Sequence, residues 1–199
     1  MTVIGLCGSS GSGKGYACQI FSLRNVAYID TDRVYREEVL SDPLCINELT
    51  GFFGNCILEN GAVSKKRLAT LVFEGKDSEK RLARLNEITH KYIKVKTLEL
   101  ISDFEKQGYA AVLVDAPVLF ESGFDKICDV TVCVTAPIET KIERIMKRDS
   151  ITREKAIARL SSQLDDRDLR ARCTYEIDNS GTQDVTGQII SILKDLRIE

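Results

Sequence analysis

One short stretch near the N-terminus constrains this chain more than any other. The residues Gly8-Ser9-Ser10-Gly11-Ser12-Gly13-Lys14 follow the apolar run 3–7 and precede the helix-patterned segment 16–21. Glycines let the backbone curl until several N–H groups point at one anion, and the N-terminus of the following helix adds partial positive charge. The spacing matches the G-x-x-x-x-G-K pattern of phosphate-binding loops. The stretch therefore predicts a nucleotide phosphate site between a strand and a helix.

The residues predicted to bind the nucleotide are those of this loop and of the first turn after it. They are Gly8, Ser10, Gly11, Ser12, Gly13, Lys14, Gly15 and Tyr16. Lys14 is expected to reach the terminal phosphates. The full pattern ends in Ser or Thr, whose hydroxyl binds Mg²⁺, but this chain has Gly15 at that position. The metal ligands are therefore left unassigned. A merely flexible Gly/Ser turn is the alternative, and the preceding apolar run and Lys14 argue against it.

Composition limits the classes of protein to consider. The chain has 199 residues, of which 43% are hydrophobic and 29% charged, with three prolines and no linker-like run, so one compact globular unit is expected. A net charge of −2 gives no support for a nucleic-acid or membrane partner. The N-terminus lacks a signal-peptide pattern, and no apolar run approaches about 18 residues. We therefore expect a cytoplasmic protein.

The seven cysteines favour buried thiols over cross-links or metal sites. They form an odd set without a C-x-x-C pair, which argues against a disulfide framework and against zinc. Cys7, Cys128 and Cys133 lie in or beside apolar runs, where a small apolar role is the expectation.

Carboxylates follow two of the predicted strands. The strand at 25–29 leads into Asp30 and Asp32, and the buried parallel-type strand at 110–114 leads into Asp115. Ligands of open α/β sheets bind outside the carboxyl ends of the strands. We interpret Asp30 as a helix cap and Asp32 as the chemically active residue. Asp115 is placed to hold metal-bound water or a substrate hydroxyl.

The remaining pattern is helical in the middle and mixed at the end. Helices are predicted at 43–53, at 64–73 behind a capping Ser64, and at 78–104, with no strand between 42 and 104. A helical block of this length suggests an insertion that covers a second substrate. Strands at 129–135 and 174–177 and helices at 138–148 and 185–196 complete the chain.

Basic residues are concentrated between Lys141 and Arg172. This segment holds ten Lys and Arg against six Asp and Glu, and Arg144 and Arg148 share a helix face at positions i and i+4. A solvated face paired with Glu143 and Asp149 is one interpretation. The interpretation that we favour is an arginine lid that closes over a polyphosphate.

Taken in order, several segments resemble dephospho-coenzyme A kinases along nearly the whole chain. The first are the loop ending at 11–14, Ile29-Asp30-Thr31-Asp32, Phe53-Gly54 with Ile57-Leu58, Gly61 and Val72-Phe73, and Leu85-Asn86-Glu87-Ile88-Thr89-His90. The others are Asp115-Ala116-Pro117-Val118-Leu119-Phe120-Glu121, Arg144 with Met146-Lys147-Arg148-Asp149, Arg159 with Gln163, and Ile177-Asp178-Asn179-Ser180-Gly181.

The resemblance implies a fold and a reaction. The expected fold is that of a P-loop kinase, a five-stranded parallel sheet flanked by helices. Its core would comprise residues 1–40, 108–140 and 173–199, its helical acceptor-binding region 41–107 and its lid 141–172. The implied reaction transfers the γ-phosphoryl group of ATP, with Mg²⁺ expected, to the ribose 3′-hydroxyl of dephospho-coenzyme A, the last step of coenzyme A synthesis. The partners are then small molecules.

The resemblance also implies roles for particular residues. Asp32 is the base that accepts the ribose proton, and Lys14 holds the β and γ phosphates together with the loop amides. The lid side of the site holds Arg144 and Arg148, and the acceptor region is lined by His90, Asp115 and Glu121.

Three departures from the family pattern qualify the resemblance. Gly15 replaces Ser or Thr, Ser9 replaces a usual Gly, and Lys91 replaces the Pro that normally follows the family's His. Two alternatives remain open at this stage: another nucleoside or small-molecule P-loop kinase, and a nucleotide-binding regulatory module without turnover. Gly15 is the sequence feature that supports the second of these.

Overall fold

The phosphate-binding loop is carried by a five-stranded parallel sheet. In the computed structural model, which describes residues 1–198, the strands are β1 (Thr2–Cys7), β2 (Ala27–Asp30), β3 (Leu58–Glu59), β4 (Ala62–Val63), β5 (Ala111–Asp115), β6 (Val130–Thr135) and β7 (Tyr175–Asp178). The large sheet has the order β2-β5-β1-β6-β7. Strand β1 pairs in parallel with β5 and β6, and β6 with β7. The predicted sheet is confirmed.

Helices connect these strands. They are α1 (Lys14–Ser22), α2 (Thr31–Glu37), α3 (Pro43–Phe53), α4 (Lys65–Phe73), α5 (Ser78–Lys106), α6 (Ile138–Asp149), α7 (Arg153–Ser161), α8 (Asp166–Arg172) and α9 (Val185–Asp195). Short 3₁₀ turns lie at Val39–Ser41, Asn55–Ile57 and Phe124–Ile127. No helix within residues 1–198 is long and apolar enough to cross a membrane.

The chain divides into two compact units. Within the described residues, the first unit, here called the sheet unit, comprises Met1–Ile29 and residues 103–198, and the second, the helical unit, comprises Asp30–Ser102. Glu199, which ends the predicted core segment 173–199, lies outside the described residues. The finer division into core, acceptor region and lid stays a prediction.

The core of the sheet unit explains why its strands read as continuous apolar runs. Ile4 and Leu113 from the sheet, Phe21 from α1 and Ile189 from α9 belong to one buried cluster. Both faces of a parallel sheet are covered by helices. The residues that point to either face are therefore apolar, and each strand is a nearly continuous apolar run. Each large side chain buried in this way stabilises the fold by about 1.5–3 kcal/mol. This packing fixes the carboxyl end of β1, where the loop begins.

A β-hairpin interrupts the helical unit. Strands β3 and β4 pair antiparallel, with Leu58 opposite Val63, so the expectation of no strand between 42 and 104 was wrong. The turn residues Asn60 and Gly61 have φ values of 53° and 82°. An Asn-Gly pair with two left-handed residues is the preferred two-residue hairpin turn. The Asn-Gly turn signal was present in the sequence. The flanking strands have only two residues each, which is too few to show the alternation of apolar and polar residues typical of a strand.

Two helix caps were predicted from the sequence, with different outcomes. The Asp30 carboxylate accepts a hydrogen bond from the Arg33 amide at 3.0 Å, which confirms Asp30 as the N-cap of α2. Ser64 occupies the N-cap position of α4, but its side chain makes no capping bond. Its hydroxyl donates to Glu59 at 3.2 Å instead. The predicted side-chain cap was therefore wrong, because the Ser64 hydroxyl is oriented toward the hairpin and not toward the amides of α4.

Candidate active site

The loop between β1 and α1 adopts a conformation that its glycines require. Gly11 and Gly13 have φ values of 78° and 91°, in the left-handed region. A Cβ atom at Gly13 would lie 1.9 Å from the Asn179 side-chain nitrogen, and one at Gly8 would lie 2.8 Å from the Val134 carbonyl oxygen. The loop backbone therefore packs closely against Asn179 and Val134, with no room for side chains at Gly13 and Gly8. It leads into the first amides of α1, which have no acceptor within the helix.

Gly15 differs from the loop glycines. It is the second residue of α1, its φ lies outside the left-handed region, and a Cβ atom there would have no neighbour within 4 Å. Neither backbone conformation nor space requires glycine at this position. Its consequence is chemical, because the helix offers no hydroxyl here.

Lys14 and Asp115 meet at the ends of two adjacent strands. The Lys14 ammonium donates to the Asp115 carboxylate, whose other oxygen accepts from the Tyr28 hydroxyl at 3.0 Å and from the Cys18 thiol at 3.5 Å. Burial, together with the nearby Asp115 charge, raises the pKa of Cys18 to about 12, so this thiol stays protonated and able to donate. Asp115 lies opposite Leu6 in the strand register, which brings the two predicted residues together. Tyr28 and Cys18 were not predicted as site residues.

Arg144 braces the loop from helix α6. Its Nη1 donates to the carbonyl oxygens of Gly11 and Ser12, each at 3.2 Å, and its Nη2 donates to the Asn179 carbonyl at 3.1 Å. The Asn179 side chain donates to the Ser12 carbonyl at 2.8 Å. Because a peptide plane is rigid, holding these carbonyls also fixes the directions of the next N–H groups.

Arg148 reaches the same loop one turn further along α6. Its Nη2 donates to the Ser10 hydroxyl at 3.2 Å, and its guanidinium forms a two-point contact with Asp149 at 2.8 and 2.9 Å. This bond, with a second from Arg159, lowers the pKa of Asp149 to about 2. The contact from Arg148 to Ser10 agrees with the lid interpretation. Its pairing with Asp149 agrees with the solvated-face interpretation.

A buried ion pair joins α6, α8 and the loop. The Lys141 ammonium donates to the Asp166 carboxylate at 2.9 Å and to the Ser9 hydroxyl at 3.1 Å. Asp166 also accepts from the Ser9 hydroxyl at 2.9 Å and from the Ala136 amide at 3.3 Å. The side chains of Lys141 and Asp166 are only 6% and 14% exposed. Sequence reasoning missed this pair because its residues lay among many other charges between 141 and 172.

Two further contacts complete the surroundings of the loop. The Gln163 side chain accepts a hydrogen bond from the Ser10 amide at 2.8 Å. Glu121, in the turn after β5, lines a cavity of about 110 Å³ with Cys7, Gly8 and Leu169. The structure thus brings Lys14, Arg144, Arg148, Asp115 and Glu121 together around the loop.

Asp32 and His90 lie in the helical unit. Asp32 is the second residue of α2 and its side chain is exposed. His90 lies half-buried in α5, and burial lowers its pKa below 6.5, which favours the neutral imidazole at neutral pH. Lys91, which replaces the usual Pro, pairs with Glu48, and the Tyr92 hydroxyl also donates to Glu48 at 3.1 Å.

The ordered motifs and the braced loop agree with the comparison to known families. The dephospho-CoA kinase family model matches residues 2–184. The chain belongs to this family. A dephospho-CoA kinase from Corynebacterium diphtheriae is 35% identical over 187 residues, which is 93% of this chain and 92% of the relative.

Two solved structures have a similar fold. A crystal structure of a Thermus thermophilus protein has a TM-score of 0.78 and 25% identity, and the match covers 98% of this chain and 97% of that one. A dephospho-CoA kinase from Campylobacter jejuni has a TM-score of 0.62 and 22% identity with the same coverage. At that identity the second likeness supports the fold alone. The family assignment rests on the family model and the curated relative, and the two structures show the same fold.

Proposed function

We propose that this chain transfers the γ-phosphoryl group of ATP to the ribose 3′-hydroxyl of dephospho-coenzyme A, giving coenzyme A and ADP. Family membership over residues 2–184 supports the reaction class and ATP as the donor. The observation that carries the proposal is the phosphate-binding loop with Lys14 beside Asp115. Phosphoryl transfer depends chiefly on positioning and on charge stabilisation, and this arrangement supplies both.

The donor side of the reaction rests on the loop. The amides of Gly13, Lys14 and Gly15 and the Lys14 ammonium bind the β and γ phosphates, with Ser10, Ser12 and Tyr16 next to them. Lys14 then exchanges its contact with Asp115 for phosphate oxygens, which leaves the Asp115 carboxylate available on the same side of the sheet.

The two arginines divide their work. Arg144 acts on the phosphates mainly through the loop, since its donors are engaged by three backbone carbonyls. Arg148 holds the Ser10 side chain and lies at the surface, where its planar guanidinium can contact the transferring phosphoryl group. Both assignments extend the lid role that the family resemblance implies.

The acceptor side rests on the family resemblance. Asp32 is the base that takes the ribose proton, in line with its position directly after β2. His90 and Glu121 contact the acceptor. As a neutral imidazole, His90 offers one donor and one acceptor, which suits a hydroxyl-rich substrate.

Mg²⁺ fits the donor set near the loop. Magnesium prefers oxygen ligands and commonly binds through one or two carboxylates, substrate phosphates and waters. Asp115 supplies a carboxylate beside Lys14, and Gly15 supplies no hydroxyl, so we assign Asp115 as the residue that holds the ion or its bound water. When bound, the ion neutralises part of the phosphate charge.

An acceptor-competition assay tests the proposal. The protein is incubated with ATP, Mg²⁺ and dephospho-coenzyme A beside adenosine, AMP and shikimate, and each phosphorylated product is quantified. Selective formation of coenzyme A is expected, and Lys14→Ala is the matched inactive control. Phosphorylation of another acceptor would support a different P-loop kinase, and ATP binding without any product would support a regulatory module. The cytoplasmic location and the lack of nucleic-acid or membrane partners remain predictions from the sequence.

A further inference from the structure

Three cysteines that are distant in the sequence meet beneath the phosphate-binding loop. Cys7 is the last residue of β1 and lies opposite Cys133 of β6 in the parallel register. Cys173 caps the C-terminus of α8, and its sulfur lies 3.5 Å from that of Cys7. All three are free thiols. Neither the proposed phosphoryl transfer nor the metal site uses them.

We propose that Cys7 and Cys173 form a reversible disulfide when a peroxide oxidises the protein, and that this bond weakens nucleotide binding by displacing the loop. The bond itself does not depend on the proposed function. The effect of this disulfide on ATP binding does rest on the proposed function.

The sulfurs of Cys173 and Cys7 differ in solvent exposure and in protonation, as oxidation by a peroxide requires. Cys173 is half-buried and so reachable from solvent. Hydrogen bonds from the thiols of Cys133 and Cys7 stabilise its thiolate and hold the pKa of Cys173 well below its usual range. The hydrogen bond with Cys173, together with burial, raises the pKa of Cys7, which keeps Cys7 a thiol. Low-pKa, accessible thiolates with a neighbouring thiol are the kind that peroxides oxidise.

The oxidation balances in two steps. The Cys173 thiolate attacks hydrogen peroxide, the O–O bond breaks, and the departing hydroxide takes a proton, which yields a sulfenic acid and one water. The Cys7 sulfur then attacks the sulfenic sulfur, the S–O bond breaks, and the Cys7 proton leaves with the hydroxide as a second water. Two thiols have lost two electrons and peroxide has gained them.

Cys7, rather than Cys133, is the expected partner of Cys173. Cys7 lines the cavity of about 110 Å³ beside the loop, together with Gly8 and Leu169. Its sulfur also lies 3.5 Å from that of Cys173. Cys133 is fully buried in β6, between β1 and β7, and does not line this cavity.

Closing the bond must disturb the loop. The sulfurs have to approach from 3.5 Å to about 2.05 Å. Cys7 is followed directly by Gly8, where even a Cβ atom would lie 2.8 Å from the Val134 carbonyl oxygen, and α8 holds the loop through the bond from Ser9 to Asp166. Hydrogen bonds weaken steeply when their lengths or angles change, so a displaced loop binds phosphate oxygens less well. We expect ATP affinity to fall by about tenfold or more.

Peptide mapping tests the bond directly. The full-length protein is treated with hydrogen peroxide, its remaining thiols are blocked with N-ethylmaleimide, and non-reducing digests are analysed by mass spectrometry. A linked pair containing Cys7 and Cys173, removed by dithiothreitol, is expected. Recovery of Cys7 and Cys173 unlinked, or of Cys173 linked to Cys133, would overturn the proposal.

ATP titrations of the same samples test the consequence. Peroxide should weaken ATP binding by the wild-type protein, and dithiothreitol should restore it. Cys173→Ser and Cys173→Ala should bind ATP normally and resist peroxide, while Cys56→Ser, which alters an exposed thiol of the helical unit, should remain sensitive. Equal peroxide sensitivity of the Cys173 variants would refute the inference. Failure of the reduced wild-type protein to bind ATP would instead count against the proposed function. It would leave the disulfide itself unaffected, because peptide mapping detects that bond without ATP.

Discussion

Asp30 and Asp32 stand two positions apart at the start of α2 but are expected to do different work. Asp30 caps the helix through the Arg33 amide, while Asp32 is the proposed base. We predict that Asp32→Asn lowers turnover by roughly 10²–10⁴-fold with ATP affinity largely kept, because the amide cannot accept the proton. Steady-state kinetics and ATP titration measure both quantities.

Asp30→Asn provides the matched control for the proposed base. Asparagine caps helices about as well as aspartate, so this variant should keep both stability and turnover. A near-normal rate in Asp32→Asn, or a comparable loss in Asp30→Asn, would assign the base to another carboxylate.

Gly15 is the residue at which this chain departs from the phosphate-loop pattern without a structural reason. The open space and ordinary φ at this position predict that Gly15→Ser folds normally, keeps ATP affinity and responds to lower Mg²⁺ concentrations, because it restores a hydroxyl ligand. The Mg²⁺ dependence of turnover, measured beside ATP affinity, checks this.

Gly13→Ala is the contrasting variant, because Gly13, unlike Gly15, has no room for a side chain. A Cβ atom at Gly13 would collide with Asn179 in a backbone conformation that disfavours side chains, so ATP binding should be lost. Weaker ATP binding by Gly15→Ser, without any gain in Mg²⁺ response, would disprove the missing-ligand idea.

At the scale of elements, the Lys141–Asp166 pair ties α6 and α8 to the loop. Removing one partner from a buried pair leaves an uncompensated charge, so Lys141→Met should lower the free energy of unfolding by about 3–5 kcal/mol. Urea denaturation measures the loss.

A surface pair between α6 and α7 controls for the loss of charge itself. Glu139 pairs with Arg153 at 2.7 Å, with side chains 61% and 46% exposed. Glu139→Gln should therefore change stability by no more than about 1 kcal/mol. Similar losses in the two variants would mean that burial does not set the strength of the Lys141 pair.

Helix α6 also presents two arginines whose contacts differ. Arg144→Lys keeps the charge, but a single ammonium cannot reproduce the contacts to Gly11, Ser12 and Asn179. Losing one or more charge-assisted hydrogen bonds of about 1.5–3 kcal/mol should reduce kcat/KM by roughly tenfold or more. Arg148→Lys, at an exposed position, should have the smaller effect on ATP affinity and act mainly on kcat. Indistinguishable kinetics for both variants and the wild type would favour the solvated-face interpretation.

For the whole molecule, nucleotide binding should appear as added stability. A ligand at 100 times its Kd that binds only the folded state raises the free energy of unfolding by about 2.7 kcal/mol. For a chain of this size the corresponding rise in Tm is about 5–11 °C. Thermal unfolding with ATP and with the same concentration of adenosine measures the effect. Since the loop binds phosphates, ATP should stabilise far more than adenosine, and equal shifts would argue against the loop as the main binding site.

Features that depend on neighbours in the sequence were predictable. The apolar runs gave the strands of the large sheet, the glycine spacing gave the loop, and the position of Asp30 before a helical run gave its cap. These signals are short-range, because backbone conformation, turn chemistry and capping are decided within a few residues. The missed hairpin at Asn60-Gly61 belongs to this class too, since its turn signal was present in the sequence.

Other features were decided only by tertiary structure. Lys14 and Asp115 each follow from a motif, but their contact depends on β1 lying beside β5. The packing of the C-terminus of α8 against β1 likewise brings Cys173 beside Cys7, 166 positions away. The bond from Arg144 to the Ser12 carbonyl depends on how α6 packs against the loop. The sequence by itself determined which residues could do chemistry at the end of β1, whereas the packing of distant elements determined which of them meet, because a side-chain contact across the fold requires distances and directions that no local pattern encodes.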